Sequence, residues 1–345
     1  MIVLLFLLMS IVLLCGRYKI TNDVYVNKVS RIAFNTFAIF VLFFVTCFRY
    51  NVGYDYHTYY NYVIAEKSWG AEFFEFVPRM ILLLARYFNA PLMFFAVING
   101  AILILVIKEI YDESIVPFES LVFFITMFYF GSLSTVRQWL GIAIIFYGFR
   151  YVVQRKFIKY LLCVIVATLC HTSAIISIVI YFVYNFFSVP FALFCMCVGF
   201  LLGPKVMNIL FRIPVFVVYE HYIDSGFTAG GNKIQYIYYL LFFFSLIIYF
   251  LSKNRAKFGR LISIIAVGIV CSRVFGATMG GRMALYFYVF FILLIPYLFE
   301  ELKPSYLRKF YLIPFYLYYV LFLYTDSIHN KGYTNYILYF FKGDK

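Results

Sequence analysis

Residues Arg49 to Tyr62 read RYNVGYDYHTYYNY, a polar and aromatic island that follows directly on the apolar run Ile32 to Phe48. A bilayer core asks for about 20 apolar residues per helix, fewer where flanking side chains reach the interface. The island therefore marks the place where a membrane span meets water. Islands of the same kind, each holding an arginine, recur beside other apolar runs at Arg137 and Arg282. The pattern predicts an all-α, polytopic integral membrane bundle whose chemistry lies at span ends.

Composition points the same way. The 345 residues are 65% hydrophobic and 13% charged, with a mean hydropathy of +0.92, against about 45–50% apolar and about 25% charged in a soluble domain. Aromatic residues reach 23%, with 45 Phe and 34 Tyr beside 2 Trp. Interfacial belts need fewer, so some tyrosines are expected to line a polar cavity, where a ring stacks on a sugar and its hydroxyl bonds to it; the alternative is a biased genomic composition. The net charge of +14 falls in short loops between apolar runs and reads as topogenic charge, which excludes a nucleic-acid partner. The seven cysteines lie in apolar segments without metal-ligand spacing and read as packing residues.

The expected spans are Met1 to Cys15, Ile32 to Phe48, Leu92 to Ile110, Phe118 to Leu133, Val136 to Val153, Tyr160 to Tyr184, Val189 to Gly203, Ile234 to Leu251, Leu261 to Thr278, Met283 to Phe299 and Phe310 to Tyr324. That makes about 11, or about 12 if Phe73 to Phe88 also crosses. The first run lacks a basic start and a small-residue cleavage site, so it reads as a retained span. Basic loops at Arg17 to Arg31, Arg150 to Lys159, Lys253 to Arg260 and Lys303 to Lys309 are expected in the cytoplasm. Residues 49–90 then form an external loop. A full crossing at Phe73 to Phe88 would put Arg137 on the wrong face, so that segment is expected to be re-entrant or surface-lying. Counting spans leaves residues 204–233 inside, unless Tyr160 to Tyr184 breaks at His171 or Val206 to Tyr219 also crosses.

Several residues carry chemistry. Arg49, Gly53, Asp55 and Tyr59 form an Arg-x3-Gly-x-Asp-x3-Tyr series in which glycine permits a turn, so that a guanidinium, a carboxylate and phenols converge. An arginine fork grips phosphate, and an aspartate orients it or takes a hydroxyl proton; the alternative is a snorkelling arginine beside a surface aspartate. Arg137 opens VRQWLGIAIIFYG, where Gly141 and Gly148 share its helix face and imply close helix packing. Arg273 and Arg282 flank SRVFGATMGGR beside further small residues, with Tyr286 one turn beyond Arg282. Charges within a membrane span are costly and mark functional sites by default. His171 sits alone in an apolar run, readable as a core histidine or as a base. Glu220, in EHYIDSG, is a base or a solvated loop residue. No nucleotide-binding glycine loop, nucleophile elbow or metalloprotease motif is present, which disfavours a soluble nucleotide donor and a metal.

RYNVGYDYHTYYNY, then VRQWLGIAI before a basic loop, His171 with Thr172 and Ser173, and finally GRMALYFYVFFILLIP resemble, in order and spacing over Arg49 to Pro296, the EpsG-like and Wzy-type oligosaccharide repeat-unit (O-antigen) polymerases. Gly141 departs from the alanine expected after Arg-Gln, and no long hydrophilic loop separates the later spans. The resemblance implies a GT-C-like membrane glycosyltransferase of the bacterial cytoplasmic membrane, with a single domain over residues 1–345 and its site facing the exterior or periplasm. It also favours placing residues 204–233 outside. A glycan on undecaprenyl diphosphate would pass to a second lipid-linked repeat unit, without cofactor or metal. Arg49, Arg137 and Arg282 would hold the departing diphosphate, Asp55 would take the acceptor proton, and Tyr54, Tyr59, Tyr60, His171, Arg273, Tyr286 and Glu220 would bind substrate. Membrane lipid, a chain-length regulator and a flippase are the implied partners. A lipid-linked oligosaccharide flippase is the rival reading, though no internal repeat supports it.

Overall fold

The computed structural model describes residues 24–64, 72, 74–210, 233–253, 255–275, 279–301, 313–329 and 337–338. In chain order they form α1 (Val24–Cys47), β1 (Arg49–Tyr50), α2 (Tyr56–Ile64), α3 (Phe76–Tyr87), α4 (Pro91–Glu113), α5 (Pro117–Met127), α6 (Tyr129–Ser134) and α7 (Val136–Val153). Then come α8 (Phe157–Cys170), a 3-10 turn (Thr172–Ser177), α9 (Ile178–Phe186), α10 (Val189–Leu210), α11 (Lys233–Leu251), α12 (Arg255–Val274), α13 (Gly281–Tyr288), α14 (Phe291–Glu301), α15 (Ile313–His329) and β2 (Ile337–Leu338). The expectation of a purely helical chain needs one small amendment. β1 and β2 pair antiparallel, Arg49 opposite Leu338 and Tyr50 opposite Ile337.

Proline begins α4 and α5, where its missing N–H and fixed φ suit the first helical position. Helices Pro91–Glu113 and Ile234–Leu251 are long and apolar enough to cross a membrane, and α13 with α14, bent by 53°, makes a third candidate. Shorter apolar helices carry the runs Phe118 to Leu133, Tyr160 to Tyr184, Val189 to Gly203 and Phe310 to Tyr324. Phe118 to Leu133 is interrupted at Phe128, Tyr160 to Tyr184 at His171, and Met283 to Phe299 at Val289 and Phe290. Such breaks are tolerated at membrane depth where the freed backbone is buried in protein or lines a cavity. Met1 to Cys15 lies outside the described residues.

The break at His171 corrects the reading of Tyr160 to Tyr184 as one continuous span. His171 is extended, with φ −160° and ψ 119°, and the chain turns back through the 3-10 segment. The Tyr181 hydroxyl donates to the Arg155 carbonyl at 3.0 Å, and Asn185 Nδ2 donates to Val152 O at 3.2 Å. Helices α8 and α9 are thus a hairpin with its apex at His171 and both feet at the end of α7.

This hairpin gives the bundle two chemically distinct ends. At one end Arg150 pairs with Glu109 at 2.5 Å and Asp112 at 3.0 Å, and Arg260 lies 5.3 Å from the Tyr184 ring centre. At the other end β1, the loop to Asp55, the start of α7, the His171 apex and the start of α13 come together. Both ends of α3 also lie there. Glu75 precedes it at the apex, and Phe94, just after it, packs on Tyr59. Phe76, Met80, Leu84 and Tyr87 leave one face of α3 exposed and apolar.

Candidate functional site

The loop after β1 is built around Gly53. Its φ of +101° is open to glycine, and a Cβ there would stand 2.5 Å from Leu133 O, so the loop lies flat on the end of α6. Tyr54 N donates to Ser134 Oγ at 3.1 Å, fixing the crossing. Arg49 secures the same junction from beneath. Fully buried, it donates to Val52 O at 3.1 Å, Thr46 O at 3.2 Å and Leu133 O at 2.9 Å, with Phe95 5.1 Å away. Its fork is engaged by backbone carbonyls, which corrects the expectation that it stands at the rim to meet an anion.

Beside this loop an acid gathers a guanidinium and an imidazole. Glu75 Oε2 lies 2.7 Å from Arg137 Nη1, and Glu75 Oε1 lies 2.8 Å from His171 Nδ1. Thr172 N approaches the same oxygen at 3.4 Å. Burial opposes ionisation of Glu75, but the His171 hydrogen bond and the Arg137 charge outweigh it and hold the carboxyl at about 2. Arg137 also donates to the Tyr59 hydroxyl at 3.3 Å and stacks 4.6 Å from the Phe74 ring centre.

Asp55 is half-buried, and two arginine charges reach it. Burial raises its carboxyl above the ordinary value, and the charges of Arg282 and Arg137 work against that rise. One carboxylate therefore lies within the electrostatic reach of both cations. Arg282 is exposed in the first turn of α13, and its carbonyl accepts from Gln138 Nε2 at 2.7 Å, which ties α13 to α7. One turn on, buried Tyr286 takes the Ser173 hydroxyl at 3.3 Å. A Cβ at Gly141 would stand 3.4 Å from the Tyr286 hydroxyl and 3.3 Å from Ala167 O, so glycine there lets α7, the hairpin and α13 meet.

Next to Arg282 opens a cavity of about 420 Å³, between α5, α6, α7, α11, α13 and α15, with Tyr54 at its edge. The other expected residues are dispersed. Tyr59 is buried beneath Arg137, and Tyr60 is half-buried against Tyr50 and Tyr56. Arg273 is exposed in the last turn of α12, not sunk in a groove. Glu220 lies outside the described residues. Among the described residues no three His, Cys, Asp or Glu side chains gather in a way that would hold a metal ion.

Chemically, the rim offers an exposed guanidinium, a second guanidinium held by a carboxylate, a half-buried carboxylate and an oriented imidazole. With Glu75 accepting from Nδ1–H, the other ring nitrogen of His171 is the one left to take a proton. Glu75 was missed in the sequence. Its signal was slight: an acid immediately before an amphipathic helix, in a loop read as external. No curated protein and no solved structure matches the chain. The model of the EpsG family matches residues 32–341, and the chain belongs to that family.

Proposed function

We propose that the protein joins lipid-linked oligosaccharide repeat units into a longer surface polysaccharide. Family membership carries the broad polymerase-like role, and the flippase alternative finds no support in it. The observation that carries the chemistry is the loop fixed at Gly53 and Tyr54, which presents Asp55 within electrostatic reach of Arg137 and Arg282. The donor is a glycan on undecaprenyl diphosphate. Arg282, with Arg137 behind it, stabilises the diphosphate as the sugar–oxygen bond breaks, an effect worth about 100-fold or more in rate per group removed. Asp55 accepts the proton of the acceptor hydroxyl as that oxygen forms the new bond, inverting the anomeric centre. Arg49 acts only by holding the loop that presents Asp55. The donor brings its own leaving group, so neither nucleotide nor metal enters. In a GT-C-like bundle, lipid substrates arrive sideways between helices, on the exterior side of the cytoplasmic membrane.

A second assignment of the base is favoured by the Glu75–His171 contact, which orients the imidazole as a carboxylate does in acid–base dyads. Asp55→Asn and His171→Gln separate the two, because the true base abolishes turnover while the other leaves a measurable rate. Purified protein in vesicles with lipid-linked repeat units tests the whole reading. Chains longer than one unit, formed without nucleotide, support it. Translocation without elongation refutes it.

A further inference from the structure

Within the cavity beside Arg282, one polar atom has no partner among the described residues. Trp139, 1% exposed, lines the cavity, and its indole N–H makes no hydrogen bond. A buried donor left unpaired is rare and costly, and it calls for an absent acceptor. Gly131 adds a second observation. It also lines the cavity, and a Cβ placed on it would lie 3.4 Å from Trp139 Nε1. A side chain at 131 would press directly on this enclosed N–H; glycine leaves that side of it without one.

The remaining wall has the chemistry of a sugar site. Tyr54 and Tyr318 offer rings and hydroxyls, while Thr126, Gln138 and Gln235 are polar side chains among apolar neighbours. The volume of about 420 Å³ falls in the range of small-ligand pockets, which run from about 300 to 1,000 Å³. A lipid tail needs no donor, and a diphosphate would be matched by cations, of which the described residues of this lining include Arg282 alone.

We propose that this cavity is the acceptor subsite, binding the non-reducing terminal sugar of the incoming repeat unit, with Trp139 donating to a sugar oxygen. This rests on the polymerase reading and deepens it. The hydroxyl next in line then faces Asp55, and the donor diphosphate lies on the other side of Arg282.

The test exploits the 2 tryptophans of the chain. In a Trp69→Phe background, Trp139 is the sole indole, and two probes are titrated: the repeat-unit oligosaccharide freed by mild acid from the host's lipid-linked pool, and inorganic diphosphate. Saturable fluorescence change with the oligosaccharide, persisting under excess diphosphate, is expected. In turnover, Trp139→Phe should raise the acceptor KM about tenfold with kcat little changed, as loss of one buried hydrogen bond predicts. Gly131→Val should raise it as well while preserving the melting temperature. A response to diphosphate alone, to lipid vesicles alone, or to neither probe overturns the subsite. Failure of the wild-type protein to elongate overturns the polymerase reading, and the titration still decides the sugar site by itself.

Discussion

Glu75 holds Arg137 and His171 at once, so its charge sets the shape of the rim. Glu75→Gln keeps the volume but halves the hydrogen-bonding capacity toward cations, and polymer formation should fall roughly 10- to 100-fold, as expected for a charge-assisted bond. The pH dependence has a definite sign. Because folding lowers the Glu75 carboxyl from 4.5 to about 2, its stabilising contribution is complete above about pH 4.5 and fades as pH drops toward 2. Melting temperatures in detergent across that window should slope for the wild type and flatten for Glu75→Gln. Arg49 behaves differently. Arg49→Ala strands the carbonyls of Thr46, Val52 and Leu133, and should lower stability by on the order of 3 kcal/mol, read as reduced folded yield before any kinetic change. Arg282→Lys, by contrast, should express normally and still lose about 100-fold in rate, since a point charge cannot grip phosphate as a fork does. At this scale the arginines and Asp55 were visible in the sequence, because charge beside apolar runs stands out. Their partners were not. His171 and Glu75 are far apart in the chain, and no local spacing records the pairing.

Among the elements, the α8–α9 hairpin decides most. The apolar run gives no proline or glycine at His171, so its break was legible only as one option for closing the span count. What draws the backbone out of helix there is a partner on another element, Glu75, together with Gly141 admitting the hairpin against α7. Gly141→Leu should therefore push the apex away from α13. Rate should drop steeply with insertion intact, whereas Gly141→Ala, whose Cβ would meet Ala167 O at 3.3 Å, should be tolerated with a modest loss. Gly53→Ala combines a positive φ with a 2.5 Å approach to Leu133 O, and both effects lift the Asp55 loop off α6. Turnover should fall while thermal stability drops by on the order of 1–3 kcal/mol.

Over the whole molecule, the described basic residues Arg150 and Arg260 lie at the end of the helices away from the candidate site. In a cysteine-free background, a membrane-impermeant maleimide added to intact cells should label Tyr54→Cys and Thr172→Cys, and should reach Lys156→Cys only after lysis. Labelling of Tyr54 and Lys156 from the same side would dissolve the shared site. The pairing of β1 with β2 was beyond any sequence pattern, being two residues long and joining distant parts of the chain. It carries a consequence for biosynthesis. The segment bearing Arg49 emerges early from the ribosome, yet the strand that seats it at Tyr50 is translated only after every described helix has been made. Nascent chains would therefore stay catalytically silent while being threaded into the bilayer, and a stop codon at Ile337 should yield an inserted bundle whose outer loop has lost its latch.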